Sequence, residues 1–317
     1  MWSCNSLEVI DLGGFATIQD SGRIGWRQFG VPASGPMDAF AFQAANTLLG
    51  NPIDCAAIEI GLGDAVFQAL QDCVIAVTGV GYKLSIYIWE FSLWGSFFVR
   101  AGWKIRLNKT DHGMWAYLAV PGGVQTPLIL GSQSTYLRGA FGGLEGRQLQ
   151  AGDRITAASH FSYELAGRTL PEENRPKYQV NPILGVIMGP QWDYFTKESI
   201  ETFLSSKYSI GLTSDRMGYR LEGPPLTQRG NKELISEGMT SGAIQVPSNG
   251  LPIVIMADGP PTGGYPKIGA VASADLPLLA QCVPNQSRIR FRETTVTKAQ
   301  EKYRAVFEGL HKIVPDE

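Results

Sequence analysis

Short runs of β-branched and aromatic residues, each cut off by glycine or proline, constrain this chain most. They occur at 16–19, 73–78, 85–89, 96–99, 104–107 and 115–120, and 37 glycines and 19 prolines over 317 residues supply the breaks. Runs of this length with turn residues between them favour antiparallel sheets that curl into barrels over alternating βαβ units. The expected fold is therefore all-β with a few short helices. Helical spacing of apolar residues marks 38–49, 192–204, 274–281 and 295–310, the last an amphipathic C-terminal helix. The stretch 84–99 is too short for an ordinary membrane helix, carries Glu90 and reads as a buried strand pair. Between 166 and 182 the sequence turns polar and proline-bearing, which places a domain boundary there and divides the chain into 1–170 and 171–317.

Charge and cysteine usage narrow the function classes. A net charge of −2 with no basic run gives no electrostatic footprint for nucleic acid or anionic lipid. Cys4, Cys55, Cys73 and Cys282 are scattered, forming neither a zinc motif nor a disulfide framework, and read as buried or incidental thiols. The N-terminus does not resemble a secretory signal, so the expected location is the cytoplasm, with no membrane association. Common catalytic signatures are missing: no phosphate loop, no complete dinucleotide fingerprint, no HExxH and no GxSxG. The three histidines share no metal-ligand spacing, and no metal site is expected.

Chemistry concentrates instead in loops rich in glycine, proline and charge. Gln19-Asp20-Ser21-Gly22-Arg23 runs on to Gly30-Val31-Pro32-Ala33-Ser34-Gly35-Pro36-Met37-Asp38, and presents Gln19, Asp20, Arg23, Arg27, Gln28 and Asp38 for a small anionic or amide-bearing ligand; the alternative is an ordered structural loop whose charges pair with each other. Gly139, Gly142, Gly143 and Gly146, flanked by Arg138 and Arg147, form a possible anion-accepting concavity; the alternative is a hairpin whose arginines pair with Glu145 or Asp153. In Ser214-Asp215-Arg216-Met217-Gly218-Tyr219-Arg220-Leu221, strand alternation predicts Arg216 and Arg220 on one face, suited to a carboxylate, with salt bridging to Asp215 and Glu222 as the alternative. The apolar run 252–257 delivers Asp258, then Thr262-Gly263-Gly264-Tyr265-Pro266-Lys267. These offer a carboxylate for proton transfer, backbone donors for an oxyanion and a lysine for charge, or else merely a tight turn.

Taken in order, five stretches resemble the biotin-dependent carboxyltransferase family that includes allophanate hydrolase subunit 2, the C subunit of bacterial 5-oxoprolinase and the kinase-inhibitor antagonist KipA. They are Gln19–Arg23 with Gly30–Asp38; Thr135-Tyr136-Leu137-Arg138 with Gly142-Gly143 and Gly146-Arg147; Gly189-Pro190-Gln191; Ser214–Leu221; and Ile244-Gln245-Val246-Pro247 with Thr262–Pro266. The resemblance implies cyclophilin-like β-barrels, two packed barrel-type subdomains, and work alongside a B-type (KipI-like) and an A-type (LamB/YcsF-like) subunit. Within such a complex ATP is consumed and 5-oxoproline is opened to glutamate; no biotin is attached to this chain, because the Met-Lys-Met motif is missing. It carries two further readings: carboxyl transfer to urea or a similar amide with biotin supplied in trans, and non-catalytic regulation of a KipI-like partner.

The resulting candidate catalytic residues are Asp258, Glu237, Tyr265 and Lys267. The candidate substrate-binding residues are Asp20, Arg23, Arg138, Arg147, Asp215, Arg216, Tyr219, Arg220, Gln245, Thr262, Gly263 and Gly264. Where many members of the family read Ala-Asp-Arg-Gln-Thr-Thr-Gly-Gly-Tyr, this chain has Ala257-Asp258-Gly259-Pro260-Pro261-Thr262-Gly263-Gly264-Tyr265.

Overall fold

The computed structural model describes residues 4–160, 162–230 and 234–315. The chain divides into two compact units. The first comprises 1–23, 34–176 and 307–317; the second comprises 24–33 and 177–306. The polar stretch 166–182 thus contains one passage between units, and the segment 24–33 is a second excursion out of the first.

The first unit is built from two antiparallel sheets. One has six strands in the order Arg154–Ala157, Cys4–Leu12, Ala65–Ala69, Lys104–Lys109, Tyr82–Ile86, Trp89–Phe91. The other has seven, in the order Phe15–Gln19, Ala57–Gly61, Trp115–Ala119, Cys73–Gly79, Gly95–Val99, Arg168–Thr169, Val314–Pro315. Alternate residues of both sheets, among them Val9, Ile18, Ile58, Phe67, Ile75, Leu84, Ile105 and Leu118, merge into one apolar core.

Cys73–Gly79 and Trp115–Ala119 are buried along their whole length, because their other face carries helix α1 (Ala39–Leu48). Asp38 caps α1, its Oδ1 accepting from the Ala41 amide at 3.0 Å. Phe40, Ala41, Ala44, Ala45 and Leu48 are buried. Thr78 Oγ1 donates to the Ala41 carbonyl at 2.6 Å, tying sheet to helix.

The run 85–89 is not one strand. A hairpin turn at Tyr87 and Ile88, with Tyr87 at φ 58°, separates Tyr82–Ile86 from Trp89–Phe91. The stretch 84–99 is accordingly an exposed hairpin tip followed by Gly95–Val99, and Trp89 and Phe91 lie exposed on an edge strand. Aromatic content misleads here because these rings pack sideways: Tyr87 stacks on Trp103 at 5.1 Å and Phe91 meets Phe97 at 5.1 Å.

In the second unit seven strands close into a barrel, in the order Ile183–Met188, Lys267–Val271, Ala243–Gln245, Ile253–Ile255, Gly218–Glu222, Tyr208–Ile210, Arg288–Glu293. A parallel pairing of Ile183–Met188 with Arg288–Glu293 completes the ring. Outside it, Glu237–Gly238 and Thr262–Gly263 pair as a two-stranded ribbon. Helix α2 (Lys197–Ser205), capped by Thr196, packs against Arg288–Glu293, with Phe203 stacked on Phe291 at 4.5 Å. Two further helices, α3 (Leu276–Ala280) and α4 (Val296–Glu308), complete four among the described residues. No helix of the described residues is long and apolar enough to cross a membrane.

Candidate functional site

The site is assembled on one face of the barrel in the second unit. Gln245 and Lys267 stand opposite each other on adjacent strands, so their side chains leave the ladder on the same side. Both are buried, at 6% and 7% exposure. Above them lies the ribbon, in which Glu237 is registered with Gly263. Lys267 Nζ forms an ion pair with Glu237 Oε1, and Gln191 Nε2 donates to the same oxygen at 2.7 Å. Gln191 Oε1 in turn accepts from the Lys267 amide at 3.2 Å, which fixes the orientation of its side chain.

Glu237 Oε2 is left with no hydrogen-bond partner among the described residues. The ammonium of Lys267, aided by the Gln191 amide, holds the Glu237 carboxyl below its ordinary value of 4.5. Glu237 therefore stays ionised throughout the neutral range. It is suited to accepting or orienting a proton, not to delivering one as an acid. Lys267→Met is expected to raise the Glu237 pKa, measured by carboxyl 13C titration; an unchanged midpoint would show that the pair does not set it. Because the folded pKa is depressed, the stability this carboxylate contributes is present above its unfolded pKa and is lost as pH falls through the folded one.

Asp258 sits at the end of the strand leading to the ribbon, 5% exposed, in a two-pronged ion pair with Arg216: Nε to Oδ2 at 2.8 Å and Nη2 to Oδ1 at 3.1 Å. The Asp258 amide also donates to the Arg216 carbonyl at 2.8 Å. This pair anchors the turn 257–261 and is already mutually satisfied. Gly259 fills a tight corner, where a Cβ would collide with the Ile255 side chain. An arginine at position 259 would not fit this backbone.

Strand alternation holds for Tyr219 and Leu221, which point inward, and for the exposed Arg220 and Glu222. Arg216 falls in the turn before that strand, so the two arginines do not share a face. Tyr219 Oη donates to the Ala280 carbonyl at 2.9 Å, while Asp215 Oδ1 caps the amides of Met217 and Gly218. Thr262, Gly264 and Tyr265 are exposed at the ribbon.

The candidates in the first unit are largely engaged in holding loops. Asp20 accepts from Ser132 Oγ and Ser134 Oγ at 2.6 Å and from the Gly22 amide at 2.9 Å, and also from the Gln133 amide. Arg23, fully buried, donates to the carbonyls of Ile129 and Ser134 and lies over Phe141, 4.8 Å from the ring centre. Gly142, at φ 74°, clears its path, since a Cβ there would strike the guanidinium. Arg147 pairs with Asp153 at 2.7 Å and with Glu145 at 3.0 Å. Arg138 is exposed, with no side-chain partner among the described residues.

The three cysteines whose side chains are described are poor thiolate donors. Burial pushes the Cys73 and Cys282 thiols up to about 12 and raises that of Cys55, so none supplies a thiolate at neutral pH. The side chain of Cys4 lies outside the described residues. Among those residues no cluster of three or more His, Cys, Asp or Glu is placed to hold a metal.

The family model for the carboxyltransferase domain, subdomains A and B, matches residues 29–293. The chain belongs to this carboxyltransferase family. Within it, the chain is 37% identical to the C subunit of 5-oxoprolinase from Escherichia coli, over 96% of this chain and 97% of that one. Urea amidolyase of Lachancea kluyveri is 33% identical over 89% of this chain, but the match spans only 16% of that larger protein. The crystal structure of the K. lactis urea amidolyase superposes with a TM-score of 0.88 at 28% identity, covering all of this chain and 21% of that one. The carboxyltransferase fold thus occurs both as a separate subunit and as one part of a long polypeptide.

Gln191 is the site residue that sequence reasoning passed over. It stood in the family stretch Gly189-Pro190-Gln191, and its neutral side chain gave no charge signal.

Proposed function

We propose that this chain is the C-type subunit of an ATP-dependent 5-oxoprolinase, hydrolysing 5-oxo-L-proline to L-glutamate in the cytoplasm with A-type and B-type subunits. The observation that carries the reading is the end-to-end match with the C subunit of 5-oxoprolinase, beside which the urea amidolyases share only a segment of their length. In the reaction the oxygen of water bonds to the lactam carbon, the ring C–N bond breaks, and the nitrogen takes up a proton. Glu237, ionised and with Oε2 open, is placed to orient that water or accept its proton. Lys267 supplies positive charge beside it, and Gln191 holds both in register.

ATP use belongs to the complex, since this chain carries no phosphate loop. Apolar side chains flank the polar centre: Trp192 next to Gln191, Ile235 two residues before Glu237, and Tyr265 two residues before Lys267 are all half-exposed or more. Such a rim around a polar centre suits closure by another subunit. Replacing Ile235, 90% exposed, with glutamate is expected to weaken association with the other subunits by about tenfold without lowering the melting temperature. Unchanged association, measured by titration calorimetry, would remove the rim from the interface.

The reading is tested by ATP-dependent glutamate formation from the co-expressed subunits with and without this chain. Formation that requires the chain is expected. An assembled complex with no turnover would favour the urea-type carboxyl transfer, with biotin supplied in trans, or the KipA-like regulatory role.

A further inference from the structure

Gln245 holds a buried hydrogen-bond donor that no described residue accepts. Its Nε2 is shut off from solvent and has no partner among the described residues. A buried amide N–H left open costs more than a replacement that needs no partner. Its surroundings are specific. Gln245 stands across the ladder from Lys267, whose ammonium pairs with Glu237. Glu237 is registered in the ribbon with Gly263, and Gly263 lies directly against Gln245 Nε2, so that a Cβ at position 263 would occupy the space at that nitrogen. Lys267, Glu237 and Gly263 are thereby gathered beside one open donor, and any side chain at position 263 would press on it.

The charge balance of this cluster selects the ligand. Lys267 is paired with Glu237, so the open donor is a neutral N–H whose two adjoining charges balance each other, and the next cation, Arg27, is held on the Met239 carbonyl. A neutral acceptor suits such a donor better than a carboxylate, whose charge a neutral N–H does not balance. We infer that Gln245 Nε2 donates to the carbonyl oxygen of an amide or lactam substrate bound beside the ribbon strand at Gly263. The inference rests on the 5-oxoprolinase reading only in naming the lactam; the donor itself is a property of the barrel. The N–H placed at that oxygen strengthens as negative charge develops on it during attack at the carbonyl carbon.

Two measurements test this independently. In the 15N-labelled full chain, the side-chain amide signal of Gln245, assigned by its loss in Gln245→Leu, is expected to shift on adding 5-oxo-L-proline or 2-pyrrolidinone. It is expected to stay in place with L-proline, which has the carboxylate but no lactam carbonyl. A shift with L-proline alone, or with none of the three, overturns the inference. In the reconstituted complex, Gln245→Leu is expected to lower kcat/KM for 5-oxo-L-proline by about 10- to 100-fold while leaving the melting temperature unchanged or higher, because an unused donor has been removed. Gly263→Ala is expected to lower kcat/KM similarly by filling the space. Wild-type kcat/KM in Gln245→Leu, or a melting temperature that falls as for a structural amide, contradicts it. If the wild-type complex does not turn over 5-oxo-L-proline, the proposed function fails, and the amide-signal experiment still decides the role of Gln245.

Discussion

Asp258→Ala is expected to destabilise the barrel unit by about 3–5 kcal/mol, the cost of leaving a buried guanidinium without its carboxylate. Arg216 and Asp258 are 6% and 5% exposed and joined by two side-chain contacts, so neither charge has water to fall back on. The paired replacement Arg216→Met with Asp258→Leu is expected to recover most of that loss, because apolar groups of similar volume need no partner. Chemical denaturation of the three proteins checks this. If the double variant were as unstable as Asp258→Ala, the loss would stem from packing at the turn 257–261 and not from the broken pair. Because this turn leads to the ribbon that carries Thr262 and Gly263, Asp258→Ala is also expected to lower activity by misplacing Gly263.

Asp20→Ala is the other large effect. The carboxylate gathers donors from Gly22, Ser132, Gln133 and Ser134, three of them more than a hundred residues away in sequence. Its removal leaves several buried donors without acceptors, at about 1–3 kcal/mol each, so a net loss of about 4 kcal/mol is expected after relaxation. For a unit of this size that lowers the melting midpoint by roughly 10 °C. Asp20→Asn, which keeps one acceptor oxygen, is expected to fall between. A melting curve for Asp20→Ala that overlays the wild type would show that the loop 131–135 is held by something else.

These two residues show where sequence was informative and where it was not. Glycine and proline spacing marked the strands because turns need particular backbone angles whatever they connect. The helix at 38–49 was legible because Asp38 stands at its cap and apolar residues follow at helical spacing. Burial on both faces of Cys73–Gly79 was not legible, since it depends on α1 lying against that sheet. Charge was the least readable signal. Asp20, Arg23 and Arg216 look alike as ligand-binding types, yet each finds a partner within the protein at long range in sequence, whereas the pairing of Arg147 with Glu145 and Asp153 was open to sequence as the hairpin alternative. Glu237 and Lys267 were legible as chemistry-bearing types; their joining through Gln191 was not, because a neutral amide gives no sign of what it links.

Under the proposed function, the Gln191–Glu237–Lys267 cluster is where this chain contributes to catalysis. Its most direct test is the ATP-dependent opening of 5-oxo-L-proline by the assembled complex carrying Glu237→Gln, beside a control with the exposed Lys83→Ala on the first unit. A fall in kcat of at least about 100-fold is expected for Glu237→Gln, with assembly intact and the control at wild-type rate. An assembled Glu237→Gln complex that turns over as fast as the wild type would contradict it.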